Sequence, residues 1–118
     1  MKKKIMIVDD DPGIVKYIEK LFINNGYDTC IARDGSEGIG ILRKENPDLI
    51  TLDLEMPDEW GPRFYRRLSQ EQEFKNIPVI VISGLSGNKY AIHKAVASLT
   101  KPFDKDELLR IVRETIGD

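Results

Sequence analysis

The sequence predicts an α/β protein, a doubly wound parallel sheet of five strands covered by helices on both faces. Three observations carry that expectation. Five short apolar runs alternate with five segments of helical period along 118 residues. Most of these runs are nearly continuous in apolar residues, as strands buried on both faces are. Polar residues that could do chemistry follow the runs: Asp9, Asp10, Asp53, Ser83 and Lys101. In open parallel sheets the carboxyl ends of the strands are where ligands bind.

The elements are expected in the following order. "KIMIV" (4–8) reads as a buried strand, and Asp11 with Pro12 as an N-cap followed by proline at the first helical position. Ile14, Val15, Ile18, Leu21 and Phe22 then share one helical face, and Gly26 closes the helix. "YDTCIA" (27–32) is a more mixed strand, placed near a sheet edge. A short helix over 34–46 uses Ile39, Ile41 and Leu42, is weakened by Gly38 and Gly40, and is stopped by Pro47. "DLITLDL" (48–54) is the third strand. A breaker-rich loop (55–62), holding Trp60 as a loop anchor and Gly61 at a turn, precedes a helix over 63–72. "IPVIVIS" (77–83) is the most apolar run and the fully buried fourth strand. Residues 88–97 have moderate helical character, and His93 is expected on that helix's surface. "SLT" (98–100) is a very short fifth strand. Asp104 and Glu107 resemble a capping box ahead of Leu108, Leu109, Val112 and Ile116.

Composition narrows the function. The chain is 41% apolar and 32% charged, with a net charge of −2, so no basic field exists to gather nucleic acid. Lys2, Lys3 and Lys4 read as a solvated N-terminal edge. The single cysteine, Cys30, forms no internal disulfide and no metal cluster. The apolar stretch after Met1 ends at Val8, too short for a signal peptide, and no run reaches the ~20 residues of a membrane span. A cytoplasmic location is expected.

The strand ends would gather three acids, one hydroxyl and one amine. Carboxylates about 4 Å apart repel by roughly 4 kcal/mol near a protein surface, so their crowding needs a purpose. A hard divalent cation such as Mg²⁺ supplies one, since it takes oxygen ligands and needs only one or two carboxylates. "VDDDP" (8–12), "LDLEMPDEWG" (52–61), "VIS" (81–83) and "LTKPF" (99–103) occur in order, each at its own strand end. Singly these motifs are common; together they are specific. The chain resembles the response-regulator receiver family over almost its whole length.

That resemblance implies a flavodoxin-like (βα)5 fold with strand order 2-1-3-4-5, residues 1–118 forming one receiver domain. It implies Asp53 as phosphoacceptor, and Asp10, Asp53 and the backbone carbonyl of Glu55 as Mg²⁺ ligands. Asp9 would order the metal's waters and partner Lys101. Lys101 and the Ser83 hydroxyl would bind phosphoryl oxygens, and Lys101–Pro102 would be cis. The implied donor is a sensor histidine kinase or phosphotransfer protein, and the receiver of the signal is an output domain or protein. Neither nucleic acid nor a membrane is implied as a direct partner. Glu55 and Leu85 would border the path of the hydrolytic water.

Two departures stand out. Ser98 occupies the place where receivers usually carry Tyr or Phe, and the segment from Ser83 to Lys101 is several residues shorter than usual. Both lie on the face that receivers use for output, so coupling is expected through "GLSGN" (84–88) instead. Two rival functions have different requirements. A haloacid-dehalogenase-type phosphatase would want a second Asp where Glu55 stands, and room for a cap domain. A pseudo-receiver binding partners without being phosphorylated would not need the set Asp10, Asp53 and Lys101.

Overall fold

Successive residues of β1 (Lys4–Val8) face opposite sides of the sheet, and both sides are apolar. Ile5 and Ile7 enter one core, Met6 and Val8 the other. This double burial forces helices onto both faces. A computed structural model describes residues 2–57, 60–84 and 95–117 of the chain. After β1 come α1 (Pro12–Asn24), β2 (Asp28–Ala32), α2 (Gly35–Glu45), β3 (Leu49–Leu52) and α3 (Trp60–Gln70). They are followed by β4 (Val79–Ser83), β5 (Ala97–Thr100) and α4 (Lys105–Ile116).

Every strand pair is parallel, and the order is β2-β1-β3-β4-β5. Val15, Ile18 and Phe22 of α1 join Leu108, Leu109 and Val112 of α4 over the face bearing Ile5, Ile7, Leu49 and Ile80. Ile39 and Leu42 of α2 join Phe64 and Leu68 of α3 over the face bearing Met6, Val8, Ile50 and Val81. β2 is an edge strand, as its mixed character suggested.

Local signals explain several boundaries. Asp11 caps α1 by accepting from the N–H groups of Gly13 (2.9 Å) and Ile14 (3.3 Å), with Pro12 in the first turn. Gly26 follows the helix at φ +91°, a conformation glycine adopts freely. Asp104 caps α4 by accepting from Asp106 and Glu107 N–H. The Glu37 side chain accepts from the Arg33 N–H ahead of α2, while the Asp34 side chain accepts from the Glu37 N–H (3.0 Å).

Other boundaries depart from expectation. Asn46, in the left-handed region at φ +51°, ends α2 one residue before Pro47. α3 begins at Trp60, within the stretch read as loop. Pro62 is compatible with this because first-turn N–H groups have no intrahelical acceptor. Trp60 is therefore a helix residue whose ring packs over Gly35, and Gly61 serves a close approach. A Cβ at position 61 would lie 2.5 Å from the Asp53 carbonyl oxygen and 2.6 Å from Leu54 Cα. Lys4 opens β1 as expected, and its partly exposed side chain pairs with Glu45 at 3.0 Å. The helix read over 88–97 falls mostly outside the described residues, and its last residue, Ala97, opens β5.

The two glycines within α2 have opposite roles. A Cβ at Gly38 would lie 2.5 Å from the Phe64 ring, whereas at Gly40 nothing stands within 4 Å. Gly40→Ala should stabilise the fold by about 0.5–1 kcal/mol through helix propensity. Gly38→Ala should cost about 1–3 kcal/mol by overpacking. Urea midpoints at unchanged m-value test both. Equal midpoints for the two variants would show that Phe64 yields without cost.

Candidate functional site

Because all strands run the same way, their carboxyl ends share one edge of the sheet. Backbone hydrogen bonds continue just beyond them. Asp9 N–H donates to the Ala32 carbonyl (3.2 Å), Asp53 N–H to that of Val8 (2.9 Å), and Lys101 N–H to that of Ser83 (2.8 Å). The sheet itself thus sets the positions from which these three side chains leave the backbone.

They meet in a largely buried cluster. Asp9, Asp53 and Ser83 are 2%, 3% and 4% exposed, while Asp10 faces solvent. Carboxylate oxygens of Asp9, Asp10 and Asp53 lie within 4.8 Å of one another. Lys101 Nζ stands 3.0 Å from Asp9 Oδ2 and 3.6 Å from Asp53 Oδ1. Main-chain donors complete the set: Asp11 N–H reaches Asp9 Oδ1 at 2.9 Å, and Glu55 N–H reaches Asp53 Oδ1 at 3.0 Å. The Lys101–Pro102 peptide is cis.

Burial pushes the Asp53 carboxyl up to about 6, and the charges of Asp9 and Asp10 add to this. The Glu55 N–H and the Lys101 ammonium oppose the rise without cancelling it. For Lys101, burial acts to lower the pKa. The hydrogen bond to Asp9 and the charges of Asp53, Asp9 and Glu55 outweigh that effect and hold the ammonium above its ordinary value. One cation therefore serves two buried carboxylates.

Ser83 is almost fully buried. Its Oγ donates to Glu55 Oε1 at 2.9 Å. Sequence reasoning gave Glu55 only a backbone carbonyl and a place beside a water path; its carboxylate was missed. No local sequence signal marks a contact between residues on different strand ends. Ser98 lies opposite Val81 on β5 and is exposed. Leu85, His93 and the 85–88 part of "GLSGN" lie outside the described residues. Asp11 remains outside the cluster as the cap of α1.

The response regulator receiver domain model matches residues 5–113. The chain belongs to that family. Protein Rrf1 of Nitratidesulfovibrio vulgaris is 34% identical over 99% of this chain and 85% of its own length. The receiver domain of the Francisella response regulator 1452 is 34% identical, with a TM-score of 0.82 over 94% of each chain. The receiver domain of the sensor histidine kinase PA1611 of Pseudomonas aeruginosa shares the fold at 23% identity, with a TM-score of 0.88 over 100% of each chain. That protein has a magnesium ion coordinated in its active site cleft. Receiver domains are signalling switches that work with histidine kinases and output partners. Among the described residues no helix is long and apolar enough to cross a membrane.

The raised Asp53 pKa has a consequence for the stability of this receiver domain. A carboxyl raised above its unfolded value of 3.8 to about 6 favours folding at low pH, and that contribution is lost as pH rises through about 6. Asp53→Asn should thus be more stable than the parent above that range in the absence of divalent cations, by roughly 1–3 kcal/mol. The gap should close as pH falls. Urea unfolding at about pH 5 and about pH 8 decides it, and a gap equal at both would disprove the burial of an ionising Asp53.

Proposed function

We propose that residues 1–118 form one receiver domain that accepts a phosphoryl group on Asp53 and relays the change to an output domain or protein. The observation that carries this reading is the Lys101 ammonium, set 3.6 Å from Asp53 Oδ1 and 3.0 Å from Asp9 Oδ2 at a buried strand end. Phosphoryl transfer needs positioning and charge neutralisation more than covalent help from the protein.

In this reading an Asp53 carboxylate oxygen forms a P–O bond as the P–N bond of a donor phosphohistidine breaks. The imidazole leaves with the electron pair of that bond and takes a proton from solvent. Lys101 moves little to meet a phosphoryl oxygen, since it already lies between the two acids. The Glu55 N–H fixes the orientation of the Asp53 carboxylate. Ser83 supplies a hydroxyl donor to a second phosphoryl oxygen. Later hydrolysis of the acyl phosphate at the same site returns the free carboxylate.

The donor set suits Mg²⁺. It consists of oxygens alone, and three carboxylates converge within 4.8 Å, as a hard cation requires. Asp10, Asp53 and the Glu55 carbonyl would hold the ion, with Asp9 ordering its waters. When bound, it would neutralise charge shared by the carboxylates and the phosphoryl oxygens. The magnesium in the cleft of the Pseudomonas relative supports this assignment.

Acetyl phosphate with Mg²⁺ should add one phosphoryl group to the parent, read by intact mass and removed by hydroxylamine. Asp53→Asn should gain none. Full labelling of that variant would move the acceptor elsewhere, and failure of the parent to label would favour a protein-interaction module that is never phosphorylated. Asp10→Ala should keep its far-UV circular dichroism yet bind Mg²⁺ at least about tenfold more weakly. An unchanged Mg²⁺ titration would remove Asp10 from the ligand set.

A further inference from the structure

Glu55 holds the hydroxyl that the phosphoryl group would need. Its Oε1 accepts from Ser83 Oγ at 2.9 Å, across 28 residues of sequence. Gly84 leaves room for that contact, since a Cβ there would lie 2.7 Å from Glu55 Oε1 and 3.3 Å from Oε2. The backbone of Glu55 is tied separately, its N–H donating to Asp53 Oδ1 at 3.0 Å. A carboxylate on a fixed backbone thus bridges the strand ends of β3 and β4.

We propose that Glu55 is a displaceable anionic latch, which occupies Ser83 until a phosphoryl group on Asp53 takes its place. The inference rests on Asp53 being the phosphoacceptor. A serine hydroxyl has one proton and serves one acceptor at a time, so Ser83 cannot hold Glu55 and a phosphoryl oxygen together. The new phosphoryl charge also repels a carboxylate lodged beside it. Because the Glu55 N–H stays on Asp53, the side chain turns out about its own backbone and the loop need not travel. The latch makes phosphorylation harder and ties it to a defined movement. Glu55 acts through Ser83 and is a positioning residue.

The test uses beryllofluoride with saturating Mg²⁺ as the phosphoryl probe, on the parent, Glu55→Ala, Glu55→Gln and each change combined with Ser83→Ala. Glu55→Ala should bind the probe about fivefold or more tightly than the parent, the worth of one hydrogen bond, and Glu55→Gln, which keeps that bond and loses only the charge, should gain less. That gain should largely vanish in the Ser83→Ala background. In the free protein, Hα–Hβ couplings should report one Ser83 rotamer in the parent and in Glu55→Gln, whose amide oxygen still accepts. They should differ in Glu55→Ala. Unchanged affinity in Glu55→Ala overturns the latch, as does an equal gain with and without the Ser83 hydroxyl. A Ser83 coupling indifferent to Glu55→Ala overturns it too. If the parent and every variant fail to bind the probe, the phosphoacceptor reading falls and the latch falls with it.

Discussion

The Lys101 ammonium and the two buried carboxylates it serves are the interaction on which the rest of the site depends. Asp9 and Asp53 are almost wholly removed from water, and an uncompensated buried charge is among the most costly features a fold can carry. Neither acid could sit where it does without a cation in reach of both. That cation comes from the end of β5, two strands away from β3, so the arrangement exists only if β3, β4 and β5 are parallel and in register. The hydrogen bond from Lys101 N–H to the Ser83 carbonyl extends the β4–β5 ladder by one step and sets where the lysine starts. The electrostatics of the site is thus a product of sheet topology.

A second constraint comes from the packing of α3 against the β3 end. Gly61 presses on the Asp53 carbonyl and Leu54 Cα, while the Trp60 ring covers Gly35 and the Phe64 ring covers Gly38. Glycines on two helices allow this closeness, and the chain after Asp53 is held from behind as a result. Arg63 lies over the Trp60 ring, 5.9 Å from its centroid, and adds to the same support. A segment held in this way can present both the Glu55 N–H to Asp53 and the Glu55 carboxylate to Ser83.

Much of this was legible in the sequence because it depends on short-range chemistry. Continuous apolar runs marked the buried strands, Asp11–Pro12 and Asp104 marked helix starts, and polar residues at strand ends marked the site. What the sequence concealed depends on distant neighbours. Trp60, Gly61 and Pro62 look like loop residues until α3 is seen lying against β3, where glycine is needed for closeness and proline is harmless in a first turn. Asn46 ends α2 by a left-handed turn that Pro47 overshadowed. Gly38 looked like a weakness in α2 and proves to be the seat of Phe64. The Glu55 carboxylate had no local signature at all.

The environment of Ser98 bears on how a signal could leave such a site. Ser98 is exposed on an edge strand of the described sheet, beside Val81 of β4. A small exposed side chain has little apolar area whose burial could differ between two states, so this position offers no bistable packing element of the kind switching requires. The Ser83–Glu55 bond differs in this respect. It joins the ends of β3 and β4 and sits directly before Gly84, where the chain leaves the sheet. A change of partner at Ser83 alters the bonding of both strand ends at once. On the proposed function, a route from chemistry to output would start at this polar contact between strand ends, where no aromatic side chain stands at position 98 to carry it.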